Sequence, residues 1–503
     1  MKPANLLFIS LLSILLCRFA IAEEATEQNT TKALPEPVRV EKKLSGKFND
    51  KKIEYRVIAA DTHLVDDDSK PMASIFSTAY IATGKKKSEQ RPLIFFFNGG
   101  PGSASVWLHL GGFGPKRVVV PSNGENAGAP PYPLIDNPLA MLDIADLVFV
   151  DPVGTGYSRA IGEYQGTDFW GVKKDAEVLS RFVRHFISEH KRWNSPRYLA
   201  GESYGTTRIG ALVRELQEGW NAVNLNGILL ISAIVDYQTG DFFPGNEQPF
   251  MSFLPTYAAT AWYHNALPNK PEQLAPFIEE VKAFVLNEYS VALLKGSRLT
   301  TEERAVIIEK LHQYTGLSKQ YLAATDLRIH EMRFMKELLR EQGKVVGRLD
   351  SRYLGTDADS AGETFEADPS GYGIAAAYTA AINDYLGRQI GVERKEIYQI
   401  LSSEVYRHWD WSMGGSPREE NVINVAPLIA KGMRQNRDLR IFVANGYYDM
   451  ATPFFATEQS FAHYGIDPKR VTMTYYPAGH MMYVHEPSLK QLTDDVRRFI
   501  ETP

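Results

Sequence analysis

Tyr198-Leu199-Ala200-Gly201-Glu202-Ser203-Tyr204-Gly205 is the stretch on which the reading of this chain turns. An apolar run ends at Ala200, a Gly-x-Ser-x-Gly turn follows, and residues 206–216 have the spacing of an amphipathic helix. A serine held on so sharp a strand-to-helix turn needs glycine two residues to either side. A Cβ at Gly201 or Gly205 would strike the adjacent strand or helix. The turn exposes the Ser203 hydroxyl and aims the first amides of the helix at it. A bare Gly-x-Ser-x-Gly also fits an ordinary turn, so its surroundings have to decide.

Upstream, residues 92–97 form a continuous apolar run, as in a strand buried on both faces, and lead into Asn98-Gly99-Gly100-Pro101-Gly102-Ser103. This loop lacks the Gly-Lys-Ser/Thr ending of a phosphate cradle and opens no dinucleotide fingerprint. In a hydrolase with an elbow serine, the loop after an early strand supplies an oxyanion amide, which fits better. Residues 147–150 give the next strand, ending in Asp151-Pro152-Val153-Gly154-Thr155-Gly156-Tyr157-Ser158. A helix over 175–190 and a strand over 227–235 continue the alternation. The pattern predicts an α/β fold, a mostly parallel central sheet with helices on both faces. Residues 52–58 and 73–82 read as earlier strands.

The alternation breaks from 241 to 391, where segments 252–263, 272–295, 301–312, 330–342 and 374–386 read as helices. We expect a helical cap inserted over the sheet. Its tyrosines, Trp262 and histidines read as core rather than ligands. The sheet resumes at 439–444, before Asn445-Gly446-Tyr447-Tyr448-Asp449, and a strand over 470–476 leads into Pro477-Ala478-Gly479-His480. A closing helix covers 487–501. The expected organisation is a signal peptide over 1–22, a disordered lead-in over 23–44, a core over 45–240, the cap over 241–391 and the rest of the core over 392–503.

A serine hydroxyl is a poor nucleophile at neutral pH and needs a base, itself oriented by a third group. Asp449 follows one buried strand and His480 another, in the order serine, acid, histidine that suits this topology. His463 reads as a surface residue and His485 as a helix start; Asp438 precedes its strand, and Asp467 lacks the strand-then-turn setting. His480 and His485 do not form a zinc spacing, so neither metal nor cofactor is expected.

Among 503 residues the net charge of −5 gives no basic footprint for nucleic acid. Lys2, the apolar run from Leu6 to Cys17, and Ala20-Ile21-Ala22 read as a secretory signal cleaved after Ala22. The run is too short for a permanent membrane anchor. Cys17 is the single cysteine, so the mature chain would be free of disulfides, which favours a bacterial envelope or periplasmic setting over a eukaryotic secretory one.

These blocks together resemble the serine carboxypeptidases, α/β-hydrolases that remove C-terminal residues from peptides. The resemblance rests on Asn98-Gly99-Gly100-Pro101-Gly102, Gly114-Pro115, Asp151-Pro152 with Gly154 to Ser158, Gly201 to Gly205, Gly446 with Asp449 and Pro453, and Gly479-His480-Met481. It implies an α/β-hydrolase fold with a helical cap and a peptide substrate. It also implies Ser203 as nucleophile, His480 as general base and acid, Asp449 as its orienter, and the amides of Gly100 and Tyr204 as oxyanion hole. Asn98, the Gly99 amide and a protonated Glu202 would take the substrate's terminal carboxylate. The chain departs from the family at Gly112, where a second glutamate is usual, at Phe96 in place of a tryptophan, and around Ser232-Ala233 in place of an asparagine. These departures leave the three catalytic positions intact and lead us to expect activity nearer neutrality than is usual for the family. An esterase or acyltransferase on the same scaffold is the alternative, and a catalytically silent binding protein the third.

Overall fold

The computed structural model describes residues 34–84, 88–413 and 422–502, so the signal segment and most of the lead-in lie outside the described residues. The main sheet is built from β1 (Arg39–Phe48), β2 (Lys51–Val65), β3 (Pro71–Ala82), β4 (Leu93–Phe97), β5 (Asp146–Val150), β6 (Arg197–Ser203), β7 (Gly227–Ala233), β8 (Arg440–Gly446) and β9 (Val471–Tyr476). They lie in the order β1-β2-β3-β5-β4-β6-β7-β8-β9, and a short strand, Arg159–Ala160, pairs with β3. The first three strands and their junction with β5 are antiparallel; from β5 to β9 every pairing is parallel.

Residues 39–44, assigned to a lead-in, belong to β1, which pairs with β2 from Arg39 opposite Ala60 to Phe48 opposite Lys51. The strand is largely solvent-facing and charge-rich. Its composition therefore reads as loop, and only the partner strand identifies it.

Strands β4 and β7 are buried along their whole length, the burial expected of parallel strands covered on both faces. Helix Val172–Glu189 buries Ala176, Leu179, Val183 and Phe186 at helical spacing against one face, with the elbow helix Tyr204–Gln217 and helix Ala426–Gln435 beside it. The closing helix Glu486–Glu501 covers the other face through Leu489, Leu492 and Val496. At roughly 2 kcal/mol per fully buried large aliphatic side chain, these stripes are enough to dock each helix.

Above the sheet, helices Gln248–Tyr263, Leu274–Phe284 and Thr301–Thr315 share a separate core that also takes in Tyr448, Met450 and Phe454 from beyond β8. The expected cap thus has its own apolar centre, yet two of its features differ from the reading. A two-residue ladder, Val345–Val346 with Leu354–Gly355, lies inside it. Helix Ala375–Asp384 packs through Ala377, Tyr378 and Ala381 into the sheet's core rather than the cap's, because its small residues allow close approach. No described helix is long and apolar enough to cross a membrane.

The parallel region places the carboxyl ends of β4, β6, β8 and β9 at one edge, where sites form in open α/β sheets.

Candidate active site

The elbow is as tight as its glycines require. A Cβ on Gly201 would lie 2.5 Å from the Gly205 carbonyl oxygen, and one on Gly205 would lie 2.5 Å from that of Phe97. Ser203 itself adopts φ 60° and ψ −133°. For a residue with a side chain such a conformation costs on the order of 1–3 kcal/mol, and the pairing of β6 and the helix behind it hold it in place. The loop after β4 closes on the elbow from the other side: a Cβ on Gly99 would fall 2.5 Å from the Tyr204 nitrogen. Asn98, Gly99, Gly100, Glu202, Ser203, Tyr204 and His480 accordingly line one cavity of about 1180 Å³.

His480 and Asp449 meet at that cavity. His480 Nδ1 lies 2.8 Å from Asp449 Oδ2, with the two residues 4% and 0% exposed. Asp449 is surrounded by donors. Its Oδ1 accepts from the Ala451 and Thr452 amides, both at 2.9 Å, and its Oδ2 also accepts from the Thr452 hydroxyl at 2.8 Å. Hydrogen bonds to a charged group contribute about 1.5–3 kcal/mol each, so these donors offset much of the cost of burying this side chain. Burial pushes the His480 imidazole down, but the Asp449 charge, its hydrogen bond and Glu202 more than reverse this, and the net shift is upward. An imidazole held through Nδ1 presents Nε2 to the cavity, where it can take and return a proton.

Glu202 is 3% exposed, and its Oε2 accepts from Asn98 Nδ2 at 2.9 Å and from the Tyr483 hydroxyl at 2.7 Å. Burial raises its pKa to about 7 against the opposing pull of His480 and the two donors. It can therefore be a neutral acid in the range where most carboxylates are charged. Asn98 is fixed at both ends: its Oδ1 accepts from the Leu108 amide at 3.1 Å, and its carbonyl accepts from Arg208. Arg208 comes from the elbow helix, is fully buried and also bonds Asp175 at 2.6 Å, tying the glycine loop to the elbow from below.

The structure brings together every site residue named from the sequence, and adds others that local pattern does not reveal. Ser232, in the departure noted above, donates to the His480 carbonyl at 2.6 Å, while its own carbonyl lies 3.0 Å from the Thr452 hydroxyl. From the cap, the Leu349 carbonyl accepts from the His480 amide at 2.6 Å and the Arg348 carbonyl from the Met450 amide at 3.0 Å. Asp350 approaches Gly479 so closely that a Cβ there would lie 2.4 Å from its own. The cap is thus hydrogen-bonded to both loops carrying the catalytic candidates. The Thr452 position, three residues after Asp449, is the one addition that a turn-forming Asp-x-x-Thr pattern could have suggested. The alternatives fall away by location: His463 is exposed, His485 precedes the closing helix and bonds Ser488 at 2.7 Å, and Asp467 caps a short turn through the Lys469 amide.

A buried acid–imidazole pair on the same cavity as an elbow serine, with Gly100 and Tyr204 also lining it, is an arrangement capable of acyl transfer through a serine ester. A prohormone-processing carboxypeptidase from Saccharomyces cerevisiae has the same fold, with a TM-score of 0.53 and 15% identity over 88% of this chain and 92% of that one. Among sequences, serine carboxypeptidase-like 13 of Arabidopsis thaliana is 30% identical over 165 residues, which make up 32% of this chain and 36% of the relative. Serine carboxypeptidase-like 1 of the same plant is 28% identical over 171 residues, 32% of this chain and 37% of the relative. These matched stretches span little more than a third of the relatives' length. A far longer match, from residue 65 to residue 486, is to the family described as serine carboxypeptidase. It takes in the glycine loop, the elbow, the cap and the loops bearing Asp449 and His480, and the chain belongs to the serine carboxypeptidase family.

Proposed function

We propose that this protein is a serine-type carboxypeptidase that releases C-terminal amino acids from peptides through an acyl-enzyme. The observation that carries the reading is the Asp449–His480 pair opening on the same cavity as Ser203, with Asn98 and a raised-pKa Glu202 alongside. Ser203 Oγ attacks the last peptide carbonyl as His480 Nε2 takes its proton. The Gly100 and Tyr204 amides stabilise the resulting oxyanion, each worth about 3 kcal/mol by analogy with a single donor of this kind. Collapse breaks the C–N bond; the proton on His480 goes to the leaving amine, and the acyl group remains on Ser203. Water, deprotonated by His480, then cleaves the ester and returns the serine. The terminal carboxylate of the substrate would meet the second Asn98 N–H, the Gly99 amide and the Glu202 O–H.

This assignment has a pH signature. His480 works as a neutral base, so turnover rises as pH climbs through its pKa, which, against the lowering effect of burial, Asp449 and Glu202 raise above the usual imidazole range. Glu202 donates to a carboxylate only while protonated, so recognition of a free C-terminus is lost as pH rises through about 7. A blocked dipeptide with a free C-terminus should give a bell whose falling limb lies near pH 7. An ester lacking the carboxylate should give the rising limb alone. A free-acid profile with no alkaline loss would overturn the assignment of Glu202. Equal cleavage of the free acid and its amidated twin would move the reading to the second one, an esterase or acyltransferase, for which Gly112 and Phe96 are the motivating residues.

We also place the mature protein outside the cytoplasm, in a bacterial periplasm or secreted, on the sequence of residues 1–22 and the lack of any cysteine beyond Cys17. N-terminal sequencing of protein recovered from cells should then begin at Glu23; an intact Met1 would contradict it.

A further inference from the structure

Tyr483 is buried behind Glu202, and its hydroxyl and the Asn98 amide converge on the same oxygen, Oε2. Among the described residues no protein group is bonded to Oε1. A neutral carboxylic acid carries its proton on one oxygen only, and an oxygen accepting two donors is the poorer place for it. The proton of neutral Glu202 therefore belongs on Oε1, the oxygen free to meet a ligand in the cavity that Glu202 lines.

The ring of Tyr483 reaches this position because two successive residues lack side chains. A Cβ on Gly111 would lie 2.4 Å from Tyr483 Cε2, and one on Gly112 would lie 3.2 Å from Tyr483 Cβ. The glycines cannot retreat, since Asn137 Nδ2 donates to the carbonyls of Gly112 and Gly114 at 2.8 and 2.9 Å. Space at 111–112, the tyrosine and the orientation of the acid form one unit. Gly112, which the sequence marks as a departure, is part of how the acid is held.

We propose that Tyr483 is a positioning residue for recognition of the substrate's C-terminal carboxylate: it pins Glu202 Oε2, so that the acid presents its proton from Oε1 to the carboxylate. This rests on the carboxypeptidase reading above. The ring itself touches neither the substrate nor the reacting atoms.

The test is Tyr483→Phe, which keeps the ring against Gly111 and Gly112 and removes only the hydroxyl. Steady-state kinetics would be run from pH 5 to 9 on a blocked dipeptide with a free C-terminus and on a blocked amino-acid ester without one. KM for the free acid should rise about tenfold with kcat within about twofold, and ester kinetics should be unchanged. The alkaline loss of free-acid binding should also move to higher pH, since the hydroxyl favours ionised Glu202 and its removal disfavours it. Gly112→Ala, which displaces the ring by a few tenths of an ångström, should act in the same direction more weakly. Parallel losses on both substrates, or a lowered melting temperature with the pH limb unmoved, would reduce Tyr483 to packing and overturn the proposal. If wild-type enzyme shows no preference for the free acid, the underlying reading fails instead, and the two failures are distinct.

Discussion

Ser203→Ala should lower kcat on a free-acid dipeptide by about 10⁶-fold, the scale on which serine enzymes lose turnover when the nucleophile goes. The size follows from the proposed mechanism: His480, Asp449 and the two amides all assist an attack that Ser203 Oγ makes, and none of them can attack in its place. Stability should change by less than about 0.5 kcal/mol, because the Ser203 side chain caps no helix amide and alanine meets the same backbone conformation. The check is twofold, turnover of the dipeptide and labelling by a fluorophosphonate, with a thermal melt as control. Labelling that persists in the variant would place the nucleophile elsewhere. Failure of wild-type folded protein to label would favour a binding protein with a silent site.

Asp449→Asn should cost about 10⁴-fold in kcat at neutral pH, the effect known where the orienting acid is replaced by its amide. Here the hydrogen bonds dictate how the amide sits. Oδ1 accepts from two backbone amides, so the asparagine oxygen must occupy that place. Its NH₂ then replaces Oδ2 and points at His480 Nδ1, which can only accept from it. The imidazole proton is driven to Nε2, where the proposed mechanism needs a lone pair. The Thr452 hydroxyl can turn to donate elsewhere, so the loop should survive and the loss should fall on kcat rather than on folding. A kcat reduced less than tenfold would remove Asp449 from the mechanism.

Both results concern residues that local sequence already singles out, and the reason is physical. A nucleophile elbow demands glycines at two fixed offsets. A buried parallel strand is a bare apolar run, and the functional loops begin where such runs end. Ser203, Asp449, His480 and the Asn98–Gly100 loop each carry that signature within a few residues. Elements without a local signature were misplaced. Strand β1 is charged and exposed along most of its length, and nothing near it in the chain marks it as a strand except the partner it pairs with. Helix Ala375–Asp384 reads as helix correctly, yet its period cannot say which of two cores it enters.

By itself, then, the sequence of this protein determined the alternation of strand and helix, the elbow, and the order in which serine, acid and histidine arrive. Steric exclusion and hydrophobic period act over three to seven residues and leave their mark in the chain. Tertiary structure alone decided how those groups are held. The Tyr483 hydroxyl reaches Glu202 across 281 positions, Ser232 meets the His480 carbonyl across 248, and the Asn98 carbonyl meets Arg208 across 110. The cap touches the catalytic loops through backbone carbonyls that any residue could supply. Hydrogen bonds of this kind are fixed by where a parallel sheet delivers its strand ends, and no periodicity in the chain encodes them.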